Sequence, residues 1–190
     1  MSVSAQWLPA RWEANLSTLK IPEALSEWIQ CTTSITDRAK KYAGHIEIEL
    51  LNHEWTLKTF EETYPYVIKT EPLFLREIYM RCDDVPWWYA RTLIPKTTYH
   101  LRQSRLDALG ACPLGDLLYH DPLIVRTPFE YSALSPSTPE YKQALSHLPL
   151  CSGIDLLWAR RSIFWIEKKP LFLMEVFLPT LLKALTCTDV

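Results

Sequence analysis

The chain has 190 residues, 48% of them hydrophobic and 22% charged, with a formal net charge of −2 at pH 7. That length and mix suit one domain spanning residues 1–190 with a sizeable core, and the near-neutral charge lacks the basic footprint of a nucleic-acid binder. Five cysteines (Cys31, Cys82, Cys112, Cys151 and Cys187) are widely spaced, odd in number and form no C-x-x-C. This argues against a disulfide framework or a structural zinc site and suits a reducing cytosol.

The opening Met1–Trp7 stretch has no basic region followed by an apolar one, so no secretory signal is read there. No run approaches the ~18 apolar residues of a membrane span. A soluble, cytoplasmic protein is expected.

Residues 22–30 read as a short helix opened by Pro22, with Leu25, Trp28 and Ile29 on one face. A second helix follows Thr33 and stops near Gly44. Residues 45–50 alternate polar and apolar and read as a half-exposed strand, and residues 55–60 are a weaker strand candidate. Residues 73–80 and 87–94 are apolar, aromatic-rich runs around Asp83-Asp84, the strongest hairpin signal in the chain. Residues 99–120 look helical in two pieces, broken around Gly110–Pro113, and residues 122–131 return to strand. The 135–153 segment has loop composition around a short helical stretch and resembles an insertion. A last hairpin joins residues 158–166 to residues 171–178. Strands joined by short turns, with helices early and mid-chain, predict an α+β fold: one antiparallel sheet with helices on one face. No G-x-G-x-x-G or Walker loop occurs.

Within the last strand, Glu175 has Leu171, Leu173 and Phe177 on its own face, and Phe172, Met174, Val176 and Leu178 on the other. An unpaired carboxylate between two apolar faces is costly, so Glu175 needs a partner, a proton or a chemical role. Centring the first hairpin on Asp83-Asp84 sets Arg76 opposite Arg91. Like charges directly opposed are destabilising unless an anion lies between them, and a guanidinium fork suits carboxylates. The bland alternatives are that both arginines reach to water, and that Glu175 is an ion-pair partner for one of them. Arg160-Arg161 reads as a surface pair or a partner for Glu77. The five histidines (His45, His53, His100, His120, His147) lack metal-ligand spacing, and no Ser or Cys occupies a nucleophile elbow. The residues alone thus suggest a pocket for a small, hydroxylated anion, working by electrostatic positioning without cofactor or covalent intermediate.

The same stretches resemble the chorismate pyruvate-lyase family. They are Leu75-Arg76-Glu77-Ile78, Pro86-Trp87, Ala90-Arg91-Thr92 with Pro95, Pro113-Leu114-Gly115, Leu157-Trp158-Ala159-Arg160-Arg161-Ser162, Lys169-Pro170-Leu171 and Glu175-Val176-Phe177-Leu178-Pro179. The resemblance runs from about residue 20 to residue 180. It implies a sheet of about six strands and a ligand enclosed beneath helical flaps. It also implies cofactor-independent loss of pyruvate from chorismate to give 4-hydroxybenzoate, the first committed step of ubiquinone biosynthesis, with tight product retention. By the same resemblance Arg76 binds the substrate carboxylate and Glu175 binds near the ring hydroxyl. Arg91 takes the second carboxylate or the access route, and Leu114 and Ile35 contact the ligand. Ile35 departs from the methionine common at that position, and the 135–153 segment is longer than the family connection. The expected partner is chorismate, without nucleic acid or stable membrane insertion. A monomer is expected, with handover to a membrane prenyltransferase as a further implication. The competing classes are a non-catalytic effector-binding domain of related fold, and an interaction protein with exposed aromatics. The first lacks room for a preceding helix-turn-helix, and the second leaves Arg76 and Glu175 unexplained.

Overall fold

Two hairpins build the centre of the molecule. In the computed structural model, which describes residues 10–57, 71–149 and 153–187, β2 (Leu73–Cys82) turns into β3 (Val85–Pro95) and β6 (Leu157–Ile166) turns into β7 (Lys169–Phe177). Both turns have two residues, Asp83-Asp84 and Glu167-Lys168, and all four have positive φ (47°, 63°, 50° and 66°). That conformation matches the twist of antiparallel strands and fixes their pairing. The hairpins join through β3 and β7, β1 (Glu47–Thr56) adds to β2, and β4 (Ile124–Arg126) and β5 (Glu130–Leu134) both pair with β6. The result is an antiparallel sheet of seven strands, in the order β1-β2-β3-β7-β6-β4 with β5 also on β6.

Alternation along the central strands feeds two cores. One face carries Phe74, Ile78, Met80, Trp88, Ala90, Leu171, Leu173 and Phe177; the other carries Leu73, Leu75, Tyr79, Tyr89, Phe172, Met174 and Val176. The first face is covered by α1 (Glu23–Ile29), α2 (Ile35–Ala43), α3 (Lys96–Tyr99), α4 (Gln103–Asp107), α5 (Gly115–Tyr119) and α7 (Pro179–Thr186). Pro22 precedes α1, whose Leu25, Trp28 and Ile29 are buried as the spacing predicts. The Ser34 hydroxyl caps α2 by accepting from the Asp37 N–H at 3.2 Å, and Gly44 ends it with φ 79°. The expected break in the 99–120 region falls between α4 and α5.

Several expectations need correction. The 122–131 stretch is two short strands, because the chain leaves β6 after Arg126 and returns at Glu130. Helices are not confined to one face: α6 (Pro139–Leu145), inside the segment read as an insertion, buries Tyr141 and Ala144 against the second core. Trp55 and Thr56 end β1 and do not begin a separate strand. Residues 58–60 of that candidate, residues 1–7, residues 150–152 and Cys151 lie outside the described residues. Pro179 not only closes β7 but opens α7, its fixed φ suiting the first helical turn.

The largest correction concerns register. Next to the turn the predicted pairing holds, with Cys82 opposite Val85 and Arg81 opposite Pro86, but a bulge between Met80 and Arg81 shifts every later pair by one. Arg76 therefore faces Thr92, and Arg91 faces Glu77. A one-residue slip moves a side chain to the other side of the sheet. The two arginines do not share an anion.

Candidate functional site

Register alone sets out the floor of a site on the first face. One row runs Arg76, Thr92, Leu173 across β2, β3 and β7; the next runs Ile78, Ala90, Glu175, Arg160 and on to Tyr131. Arg76 and Glu175 thus lie two strands apart, a lateral separation of about 10 Å, with the small Ala90 between them. Across that floor, Ser34, Ile35 and Thr36 at the start of α2 and Leu114, Gly115, Leu118 and Tyr119 around α5 form a roof. Together they line a cavity of about 40 Å³, well below the roughly 300–1,000 Å³ of a typical small-molecule site, so the roof has to shift outward to admit a ring. The roof is close-knit: a Cβ at Gly115 would stand 3.0 Å from the Ser34 hydroxyl oxygen.

Arg76 is 2% exposed. Its Nη2 donates to the carbonyls of Gly110 (3.1 Å) and Cys112 (2.8 Å), which lie in the break between α4 and α5. Its Nε has no hydrogen-bond partner, and no carboxylate pairs with the guanidinium among the described residues. Burial pulls its pKa down to about 10, against a smaller opposing effect from Cys112. The group is still cationic at neutral pH, and a buried cation without a counter-charge is a strong attractor for an anion.

Glu175 is 6% exposed and does have a counter-charge. Arg160 Nε donates to Glu175 Oε2 at 2.6 Å. The Arg160 Nη1 donates to the carbonyls of Cys31 (2.6 Å), Ile29 (3.3 Å) and Trp28 (3.4 Å) at the C-terminal end of α1. The Trp28 carbonyl also accepts from the Cys31 N–H at 3.2 Å, and a cation at the C-terminal end of a helix is favoured by the helix dipole. The guanidinium also lies 4.3 Å from the centre of the Phe129 ring. Burial works against the charge on Arg160, but Glu175 outweighs it and raises the arginine's pKa above its ordinary value.

This arrangement corrects two sequence readings. Arg160 and Arg161 are not a surface pair and neither binds Glu77: Arg160 is fully buried on Glu175, and Arg161, on the opposite face, binds Glu130 at 2.8 Å. The ion-pair partner of Glu175 is neither Arg76 nor Arg91. A hairpin centred on Glu167-Lys168 pairs Arg160 with Glu175 directly, so turn chemistry in the last hairpin held the signal that a longer turn concealed.

Of the expected site residues, Arg76, Glu175, Ile35 and Leu114 all line the cavity. Arg91 does not. It lies on the second face, where its Nε donates to Glu77 Oε1 at 2.8 Å and to the Tyr89 hydroxyl at 3.1 Å. Tyr89 and Asn52 also donate to Glu77. The sequence reading gave no site role to Ala90 and Thr92, which flank Arg91 in its matching stretch and enter the cavity through register, or to Ser34 and Tyr119, which enter it through roof packing. Among the described residues no group of histidines, cysteines and carboxylates is arranged to hold a metal. Likewise, no helix among them is long and apolar enough to cross a membrane.

The family model described as chorismate lyase matches residues 4–185. A probable chorismate pyruvate-lyase of Shewanella sp. (strain MR-4) is 31% identical over 183 residues, covering 96% of this chain and 90% of that protein. One from Nitrosomonas eutropha is 31% identical over 163 residues, covering 84% and 89% respectively. Among solved structures, the effector domain of PhnF from Mycobacterium smegmatis superposes with a TM-score of 0.50 at 11% identity, over 76% of this chain and 88% of that one. That likeness concerns the fold alone.

Proposed function

The chain belongs to the chorismate lyase family, and from that premise we propose that it removes pyruvate from chorismate to give 4-hydroxybenzoate, the first committed step toward ubiquinone. One observation carries the reading: a buried, unpaired guanidinium and a buried carboxylate stand at opposite ends of one enclosed floor, two strands apart. Those ends match a ring with a carboxylate at one side and a hydroxyl at the other.

In this proposal Arg76 binds the ring carboxylate, and Ile35 and Leu114 close over it. Glu175 commits Oε2 to Arg160 and accepts the ring hydroxyl proton through Oε1. The cavity folds the enolpyruvyl arm back over the ring. The hydrogen on the hydroxyl-bearing carbon then passes to the methylene end of the arm, and the electrons of the broken C–H bond form the new ring double bond. The ring–oxygen bond breaks, its electron pair becomes the keto group of pyruvate, and the former methylene becomes the methyl. Atoms and electrons balance within the substrate, and aromatisation drives the step. The protein's contribution is orientation and charge placement. A roof that closes over the aromatic product releases it slowly, so 4-hydroxybenzoate inhibits turnover.

Purified protein incubated with chorismate is expected to form 4-hydroxybenzoate and pyruvate in equal amounts, well above the spontaneous rate. Arg76→Ala and Glu175→Ala should each lower kcat/KM by more than about tenfold, as loss of a charged ligand contact does. Absence of product with the unaltered protein refutes the lyase reading. Losses confined to thermal stability would make both residues structural.

A further inference from the structure

The four buried tyrosines among the described residues have protein acceptors. Tyr79 donates to the Ala144 carbonyl at 2.7 Å, Tyr99 to Asp107 at 2.5 Å, Tyr141 to the Ile154 carbonyl at 2.6 Å, and Tyr89 to Glu77. Tyr119, the last residue of α5, lines the cavity together with Glu175. Its ring is held edge-on against Phe164, with centres 5.6 Å apart. Tyr119 is only half-buried, and its hydroxyl, unlike those of the other four, has no hydrogen-bond partner among the described residues, which leaves it free to bond a ligand in the cavity.

We propose that Tyr119 is a second hydrogen-bonding residue for the ring hydroxyl of the ligand, acting with Glu175 to select rings that carry one. The inference rests on the reading of this cavity as a site for a hydroxylated ring carboxylate, and deepens it. A hydroxyl offers one proton and two lone pairs. Ionised Glu175 can take the proton but cannot donate; a phenol can donate to a lone pair. Burial, followed by the nearby Glu175 charge, pushes the Tyr119 pKa up to about 12, against opposing effects of Arg160 and Arg126. The phenol is therefore a donor throughout the neutral range. A ring without the hydroxyl leaves the Tyr119 hydroxyl and the second oxygen of Glu175 without that partner, the circumstance in which a polar site rejects an analogue most strongly.

The test compares 4-hydroxybenzoate with benzoate, by calorimetric titration of the unaltered protein and of Tyr119→Phe. Benzoate retains the carboxylate for Arg76 and reports that the cavity is intact. The expected result is a roughly tenfold weaker Kd for 4-hydroxybenzoate in the variant, with benzoate changed by less than about twofold. Equal weakening of both ligands makes Tyr119 a packing residue and overturns the proposal, as does no change for either. Chorismate turnover by the unaltered protein is measured alongside. If turnover is absent while the hydroxyl preference is present and lost in Tyr119→Phe, the lyase reading fails and the role of Tyr119 stands. If the unaltered protein binds neither ring, both fail.

Discussion

Arg76 and Glu175 are both buried ions on one sheet face, yet only one has a counter-charge. Glu175 is neutralised by Arg160, which is itself tied to three carbonyls at the end of α1. Arg76 has two carbonyl contacts and no carboxylate, and its lowered pKa of about 10 records the resulting cost of its charge. A group held in an unfavourable state for a ligand's sake lowers the stability of the ligand-free fold. Replacing it with a hydrophobic side chain of similar length should remove that cost. The two carbonyls it serves belong to Gly110 and Cys112, which are not buried and can turn to water. Arg76→Met is therefore expected to leave the ligand-free melting temperature unchanged or raised, while turnover and 4-hydroxybenzoate binding are lost. A calorimetric scan with and without product checks this. A melting temperature lower by several degrees without ligand would mean that Arg76 is chiefly a structural bridge to the α4–α5 connection.

At the scale of elements, the two hairpins decide which charges meet. Both use two-residue turns with left-handed residues, and neither turn contains glycine. Aspartate tolerates that conformation; lysine does so at a cost of about 1–2 kcal/mol. Lys168→Gly should remove most of it, less the greater chain entropy of glycine in the unfolded state, for a net gain of up to about 1 kcal/mol. For a chain of this size that raises the melting temperature by about 2–4 °C, measurable by thermal denaturation; a lower value would show that φ 66° at Lys168 carries no strain. The same turns explain what could be read without coordinates. Strand positions, two-sided burial around Glu175 and the turn at Asp83-Asp84 all follow from local pattern. The bulge does not, because Trp87, left unpaired between Pro86 and Trp88, is an ordinary strand residue by type. That single residue transferred Arg91 to the opposite face. Arg160 was legible in principle, since its pairing with Glu175 follows from a two-residue turn at Glu167-Lys168. Ser34 and Tyr119 were not, because a cavity roof depends on how α2 and α5 settle over the sheet. The family resemblance supplied Ile35 and Leu114 where pattern could not.

The whole molecule divides its buried charge between the two faces of one sheet. The first face keeps Arg76 unpaired in the cavity; on the second, the ions satisfy one another. Arg91 and Glu77 side chains are 7% and 2% exposed and paired at 2.8 Å, with Tyr89, Asn52 and Gln143 donating further bonds to Glu77. Burial pushes the Glu77 carboxyl up, but the Arg91 charge and the hydrogen bonds from Tyr89, Asn52 and Arg91 outweigh it and hold the pKa below its ordinary 4.5. The unfolded chain then binds more protons than the folded one below about that pH, so stability falls with acidification there. The contribution is fully present above pH 4.5 and is lost as pH drops through the folded pKa. Glu77→Gln should act in two ways. At pH 7 it leaves Arg91 buried without its counter-ion, a loss of about 3–5 kcal/mol. Below pH 4.5 it should flatten the decline, because the group that titrates differently in the two states is gone. Urea denaturation from pH 7 to pH 3 measures both effects in one series. Parallel curves for the two proteins, offset but equally steep in acid, would assign the acid sensitivity to carboxylates other than Glu77.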